Sequence, residues 1–220
     1  MSKLVIEIDL DGVFFDFHSV FEKEIQRKYP EFTLSNLLTY DFNKSLKCAS
    51  KDVLVEEFGS AVARSILIGN SDLLGAPRNE LIKELSNYRL FEDAKPYDGA
   101  VESVKALIKT GLFDVVFNSY AGRDCPESEQ ISRVKHSRVQ EIFKDLPINL
   151  IATIGDGKPV LSNSVIVIED NILHLRKYPK AGRYLINQPF NQTRFLPKGE
   201  NLDGIFRVGS LADVVNGYIL

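Results

Sequence analysis

The chain opens on a short apolar run, Leu4-Val5-Ile6-Glu7-Ile8, that ends at Asp9-Leu10-Asp11-Gly12. This pattern predicts a buried strand leaving its sheet through a glycine turn. From Val13 to Tyr29, apolar residues at 13, 14, 17, 20, 21 and 25 recur at near-helical spacing until Pro30 stops them, which predicts a helix facing a core. Between residues 31 and about 89 the apolar positions keep falling in helical groups, among them Leu34-Leu37-Leu38, Val53-Leu54-Val55-Phe58 and Leu81-Ile82-Leu85. No convincing strand interrupts them, and Gly59, Gly69, Gly75 and Pro77 serve as punctuation.

The pattern changes at Lys95-Pro96-Tyr97-Asp98-Gly99. Asp98 is positioned to cap a helix carrying Val101, Val104, Leu107 and Ile108, and Gly111 stands where a C-terminal glycine belongs. Phe113 to Phe117 reads as a buried strand ending at Asn118-Ser119, and a helix opened by Pro126 runs to Phe143. Three more strands are expected at 149–153, 165–168 and 183–186, then a short final helix capped by Ser210. Strands alternating with helices predict an α/β fold, a Rossmann-like parallel sheet covered on both faces. Residues 1–18 and 90–220 would form this core, and residues 19–89 a helical cap inserted after the first strand. Insertions at such a position commonly screen a site from water.

Composition narrows the function classes. A chain of 220 residues, 44% hydrophobic and 26% charged, belongs with ordinary globular proteins. Its net charge of −3 gives no support to a nucleic-acid coat or an anionic-membrane binder, but leaves small phosphorylated ligands open. Cys48 and Cys125 are far apart and without metal-ligand spacing, and the amino-terminal run is broken by Glu7 and Asp9, unlike a signal peptide. No stretch is long enough for a membrane span. A reduced, cytoplasmic setting is therefore expected, with no membrane and no stable nucleic-acid partner; a homodimer is compatible with the sequence.

Chemistry is concentrated where strands are predicted to end. Asp9 and Asp11 place two carboxylates at the edge of the first strand, and such a pair is costly without a positive partner. Hard oxygen donors favour Mg2+. Asp170, at the end of the 165–168 strand, could share that ion if the two strands are neighbours; taken alone it could equally cap the helix that follows. Asn118 and Ser119 offer donors to an anion, and Lys158, in Gly155-Asp156-Gly157-Lys158-Pro159, could neutralise a phosphoryl group and an attacking carboxylate together. That loop lacks the Walker pattern. His18, His136 and His174 fit no metal or triad spacing and read as structural.

In order, Asp9-Leu10-Asp11-Gly12-Val13, Ser119, Lys158 and Asp170 resemble the four motifs of the haloacid dehalogenase superfamily of phosphotransferases. With Asp16-Phe17, Lys95-Pro96-Tyr97-Asp98-Gly99-Ala100, Ile168-Glu169-Asp170 and 185–191, the chain is similar to the 5'(3')-deoxyribonucleotidase family within it. The resemblance implies a haloacid dehalogenase-like core, a helical cap, Mg2+ and hydrolysis of nucleoside monophosphates, preferentially deoxy ones. Carried over, Asp9 would be the nucleophile forming an aspartyl-phosphate. Asp11 would be the acid and then the base, starting protonated beside a neighbouring carboxylate. Asp9, the Asp11 backbone carbonyl and Asp170 would bind the metal. Ser119, with Asn118, would hold phosphate; Lys158 would balance charge; Phe17 would pack on the nucleobase. Asn118 stands where the family often has threonine, Glu169 replaces the first acid of an Asp-Asp pair, and Asn171 stands where arginine often follows. The alternatives are the same chemistry on another small phosphomonoester, such as a sugar phosphate or a 3'-phosphate end, and a non-catalytic nucleotide-binding protein.

Overall fold

Six parallel strands make one sheet in the computed structural model, which describes residues 3–30, 34, 83–122, 126–192, 202 and 204–220. Most of the expected cap, residues 31–33 and 35–82, lies outside the described residues, as do Cys48 and Cys125. The chain divides into two units. Met1–Val20, Ser86–Asn187 and Gly204–Leu220 form one; Phe21–Leu85 and Gln188–Asp203 form the other. In the second, the Leu34 N–H donates to Glu22 Oε1 at 2.9 Å, and the Gln188 N–H to Asn191 Oδ1 at 3.0 Å.

The first unit holds the sheet. Its elements are β1 (Leu4–Ile8), α1 beginning at Phe17 (Phe17–Gln26), α2 (Tyr88–Asp93), α3 (Ala100–Lys109), β2 (Phe113–Gly122), α4 (Pro126–Phe143), β3 (Asn149–Ile154), β4 (Ser164–Glu169), α5 (Ile172–Leu175), β5 (Gly182–Ile186), β6 (Ile205–Val208) and α6 (Leu211–Val214). Strand order is β3-β2-β1-β4-β5-β6. β1 is therefore central, with β2 on one side and β4 on the other, and the chain's course across the sheet reverses at β1. In open parallel sheets the crevice beyond the strand ends at such a reversal is the habitual ligand site.

Burial explains why β1 is central. Ile6 and Ile8 are fully buried, as expected of a strand covered on both faces, and they pair with Val115 and Phe117 of β2 and with Ile166 and Ile168 of β4. Phe14, Phe117 and Phe143 form an aromatic cluster with ring centroids 5.0 to 6.0 Å apart. Helix α3 packs on β2, α4 on β2 and β3, α5 on β4 and β5, and α6 on α3 and β6. Among the described residues no helix is long and apolar enough to cross a membrane.

Most predicted elements are present, but the first helix begins at Phe17 and not at Val13, because residues 10–15 close the turn after β1, and four further differences stand out. The cap of α3 is Gly99, at φ +74°, and makes no side-chain hydrogen bond, so Asp98 does not cap it. β2 continues five residues past Phe117, so Asn118 and Ser119 lie inside the strand, opposite Ile151 and Ala152 of β3. β6 was not expected: its Ile-Phe-Arg-Val run is short, lacks clean alternation and pairs with β5 alone, leaving Phe206 half-exposed. After α6, capped by Ser210 Oγ as expected, the chain continues as a π-helical turn, Val215–Ile219.

The aromatic cluster is expected to carry much of the core. Phe117→Ala should cost about 3–5 kcal/mol in urea denaturation, the usual cost of emptying a phenylalanine site. A loss below about 1 kcal/mol would show that the cluster closes without it.

Candidate active site

The turn after β1 is built to bring two strand ends together. The Asp9 N–H extends the ladder by donating to the Ile168 carbonyl of β4 at 3.0 Å, and the chain then closes on itself through Phe14 and Phe15 N–H bonds to the Leu10 carbonyl. Segment 95–97 pins this turn: the Tyr97 N–H donates to the Phe14 carbonyl, and the Asp16 N–H to the Lys95 carbonyl. Gly12 makes the turn feasible. Its φ is +79°, and a Cβ there would lie 2.2 Å from Asp170 Oδ2 and 2.4 Å from His18 Cε1. His18 Nε2 is 3.9 Å from the same Asp170 oxygen.

One half of the site is acidic. Asp9, Glu169 and Asp170 are buried, and each offers an oxygen within 4.8 Å of the others. Lys158 reaches into them, donating to Asp9 Oδ1 at 2.6 Å and to Glu169 Oε2 at 2.7 Å. Asp9 Oδ1 also accepts the Leu10 N–H at 2.7 Å, and Glu169 Oε1 accepts the N–H groups of Asp170 and Asn171, both at 3.2 Å. Burial, reinforced by the Glu169 charge, pushes the Asp9 carboxyl up to about 7, with Lys158 offsetting part of the rise. Burial and the charges of Glu169 and Asp9 likewise raise Asp170 well above the ordinary carboxylate range. Burial works against the Lys158 ammonium, but the two anions outweigh it and hold its pKa above the ordinary value. Asp170 is not a helix cap: Asn171 caps α5, its side chain accepting the Leu173 N–H at 2.9 Å.

The other half carries Asp11. Its Oδ2 accepts from Ser119 Oγ at 3.3 Å and pairs with the ammonium of Lys135 on α4. Lys135 is 2% exposed and also donates to Ser119 Oγ at 2.9 Å and the Tyr120 carbonyl at 2.7 Å, with its charge 4.6 Å from the Phe91 ring centre. Asp11 thus meets a cation and a hydroxyl, and its carboxylate is outside the acidic group around Asp9, so the partner it faces is the Lys135 ammonium and not the neighbouring carboxylate expected from the sequence. Sequence reasoning missed Lys135. Its signal was a charge set into the buried stripe Ser128, Ile131, Val139 and Phe143 of one helical face.

Two expected ligand contacts have other partners. The Asn118 amide donates to Glu7 Oε1 at 2.7 Å and the Pro159 carbonyl at 2.9 Å, so its hydrogens are used inside the protein instead of facing an anion. Phe17 is 4% exposed and stacks on Phe91, with ring centroids 4.6 Å apart and an interplanar angle of 21°. One of its faces is therefore covered by a neighbouring ring. Of the histidines, His136 Nδ1 lies 2.8 Å from the Ser132 carbonyl one helical turn back, while His18 and His174 are buried near Asp170 and Glu7.

No protein-family model matches the sequence, and no curated protein matches it. Solved structures do resemble the fold. A Clostridium acetobutylicum protein described as a predicted phosphatase is 16% identical, with 98% of each chain covered and a TM-score of 0.51. YfnB of Bacillus subtilis, assigned to the HAD-hydrolases and bound to magnesium, is 13% identical over 100% of both chains, with a TM-score of 0.50. A hydrolase of Pseudomonas syringae is 13% identical, covering 98% of this chain and 97% of its own, also at 0.50. At these identities the likeness is one of fold: the chain has the α/β architecture of haloacid dehalogenase-like hydrolases.

Two outcomes follow from the geometry. Gly12→Ala should destabilise the protein by about 1–3 kcal/mol or more, since it combines a positive φ with a clash against Asp170 and His18; equal urea midpoints for the variant and wild type would contradict the tight turn. With divalent cations chelated, stability should fall as pH rises from about 4 to 7. The folded Asp9 holds its proton up to about 7 against an ordinary 3.8, so across that window the folded state binds more protons than the unfolded chain. Glu7 acts oppositely, but its contribution is lost as pH falls through its ordinary 4.5 and below, so it touches only the bottom of this window. Thermal melts should show Tm declining through this window and a flatter profile in Asp9→Asn; a Tm rising from pH 5 to 7 would contradict the assigned burial.

Proposed function

We propose that the chain is a Mg2+-dependent phosphomonoesterase acting on nucleoside monophosphates, preferentially deoxy ones, through an aspartyl-phosphate on Asp9. The observation that carries this reading is the division of the site: Asp9, Asp170, Glu169 and Lys158 meet on one side, and Asp11, Ser119 and Lys135 on the other. The first set suits a nucleophile with its charge balance, the second an acid beside anion donors.

The donor set fits a divalent cation. Three buried carboxylates crowd within 4.8 Å of one another, and Lys158 is bonded to two of them, Asp9 and Glu169. Asp9 and Asp170 are the ligands we assign to Mg2+, with the Asp11 backbone carbonyl implied by the family resemblance. Glu169, whose oxygens already accept from Lys158 and two backbone N–H groups, is better suited to holding the lysine. When bound, Mg2+ supplies charge neutralisation for the transferring phosphoryl group.

The residues then divide the work. Leu10 N–H and Lys158 orient the Asp9 carboxylate for attack on phosphorus. The bond from phosphorus to the ester oxygen breaks as Asp11 gives that oxygen a proton, and the phosphoryl group stays on Asp9. Asp11 then takes a proton from the water that hydrolyses the aspartyl-phosphate, so the two half-reactions restore both carboxyl groups. Ser119 and Lys135, already converging on Asp11, would hold phosphoryl oxygens as negative charge builds. The nucleotide substrate rests on the segments similar to deoxyribonucleotidases, Phe17 among them, although that ring is 4% exposed and stacked on Phe91.

A panel of deoxy- and ribonucleoside monophosphates, sugar phosphates and 3'-phosphorylated oligonucleotides, assayed with Mg2+, tests the substrate. Turnover should be highest on the deoxynucleoside monophosphates. Activity confined to non-nucleotide esters would remove that substrate, and none on any ester would remove the reaction. Asp9→Asn should abolish turnover with folding retained, and Asp11→Asn should slow it by about two to four orders of magnitude. An unchanged rate in either variant would overturn its role. Lys135→Met should cost on the order of 10²- to 10³-fold in kcat, as loss of an oriented donor usually does.

A further inference from the structure

Glu7 lies within β1, one residue from its end, is 2% exposed, and takes part in neither half of the site described above. An acid in the central strand of a parallel sheet is expensive to bury unless its oxygens are fully hydrogen-bonded. Here four side chains answer it. Asn118 Nδ2 donates to Oε1 at 2.7 Å, the Tyr178 hydroxyl to Oε1 at 2.7 Å and Ser164 Oγ to Oε2 at 2.9 Å, while His174 Nε2 lies 3.2 Å from Oε1.

Two of those partners reach onward to one short loop. The second amide hydrogen of Asn118 goes to the Pro159 carbonyl at 2.9 Å, and the Tyr178 hydroxyl accepts the Leu161 N–H at 3.2 Å. Lys158 immediately precedes Pro159. Upstream it follows Gly155 and Gly157, at φ +111° and +116°, around whose positions there is open space. The chain entering Lys158 is tied to β2 at Gly155, whose N–H donates to the Gly122 carbonyl at 2.9 Å and whose carbonyl accepts the Tyr120 hydroxyl at 2.8 Å, and the chain leaving it is tied at Pro159 and Leu161 to β2 and to the segment after α5.

We infer that Glu7, through Asn118 and Tyr178, is a positioning residue that sets the Pro159–Leu161 segment and so holds the Lys158 ammonium between Asp9 and Glu169. The inference rests on the phosphomonoesterase reading only for its kinetic arm. It also accounts for Asn118, whose amide serves the lysine loop in place of the phosphate. Glu7 touches no reacting atom; it acts at two removes.

The test uses the full chain with Glu7→Gln, which keeps the shape but removes the charge, and Tyr178→Phe, which removes the hydroxyl alone. NMR reads the loop without turnover. The Leu161 amide should exchange about five- to tenfold faster in Tyr178→Phe, the loss expected for one hydrogen bond, and the Lys158 Cε resonance should shift in both variants while the Ile6 and Ile8 amides stay protected. Unchanged Lys158 and Leu161 signals would overturn the inference even if the protein hydrolyses nothing, and an inactive wild type with the expected NMR changes would overturn only the phosphomonoesterase reading. With p-nitrophenyl phosphate, kcat should fall about tenfold in Glu7→Gln with KM altered less than about twofold, and Glu7→Gln should slow Lys158→Ala no further. Independent, multiplicative losses in the double variant would mean that Glu7 supports the fold and not the lysine. Should Glu7→Gln fail to fold, the Tyr178→Phe measurements decide alone.

Discussion

Crowding of negative charge at the tips of β1 and β4 is the constraint on which the rest of the molecule turns. Hydrogen bonding between parallel neighbours brings the two strand ends together, and each delivers buried acid: Asp9 from one, Glu169 and Asp170 from the other. Removing three carboxylates from water is costly, and Lys158 answers part of that cost through Asp9 and Glu169. Gly12 is part of the same constraint, since any side chain at its position would occupy the space where Asp170 meets the turn. The site is held by strand pairing and by the absence of one Cβ.

Around this centre the fold keeps its charges apart by function. Lys158 comes from a loop and serves Asp9, whereas Lys135 comes from a helix and serves Asp11 and Ser119. Two acids two residues apart in sequence thus have different cations, which is how neighbouring carboxylates can take different chemical parts. Glu7, buried beneath them, shows a third solution: burial would raise it, but hydrogen bonds from His174, Tyr178, Asn118 and Ser164 together hold it below the ordinary range.

The parts of this arrangement that were legible in the sequence are those that local pattern controls. Apolar runs ending in acids marked β1 and β4, and glycines at 12 and 111 marked turns with positive φ. On local pattern alone Asp170 suits a cap as well as a ligand; in the fold Asn171 caps α5. What stayed hidden depends on partners distant in sequence. Asn118 and Ser119 are polar, so β2 looked finished at Phe117, although pairing with β3 carries it to Gly122. Asn118 read as a phosphate donor because its partners Glu7 and Pro159 are 111 and 41 residues away. Lys135 was passed over: its place in the apolar stripe of α4 hints at burial, but its role depends on packing against Phe91, Ser119 and Asp11, which are distant in sequence.

Calorimetric titration of the full chain with Mg2+ at pH 7, repeated in buffers of different ionisation enthalpy, measures the charge imbalance directly. If Asp9 and Asp170 are short of positive charge, Mg2+ should bind to one site per chain with release of protons, and Asp170→Asn should weaken binding by tenfold or more. Binding without proton release, or binding that survives the loss of Asp170, would contradict the account.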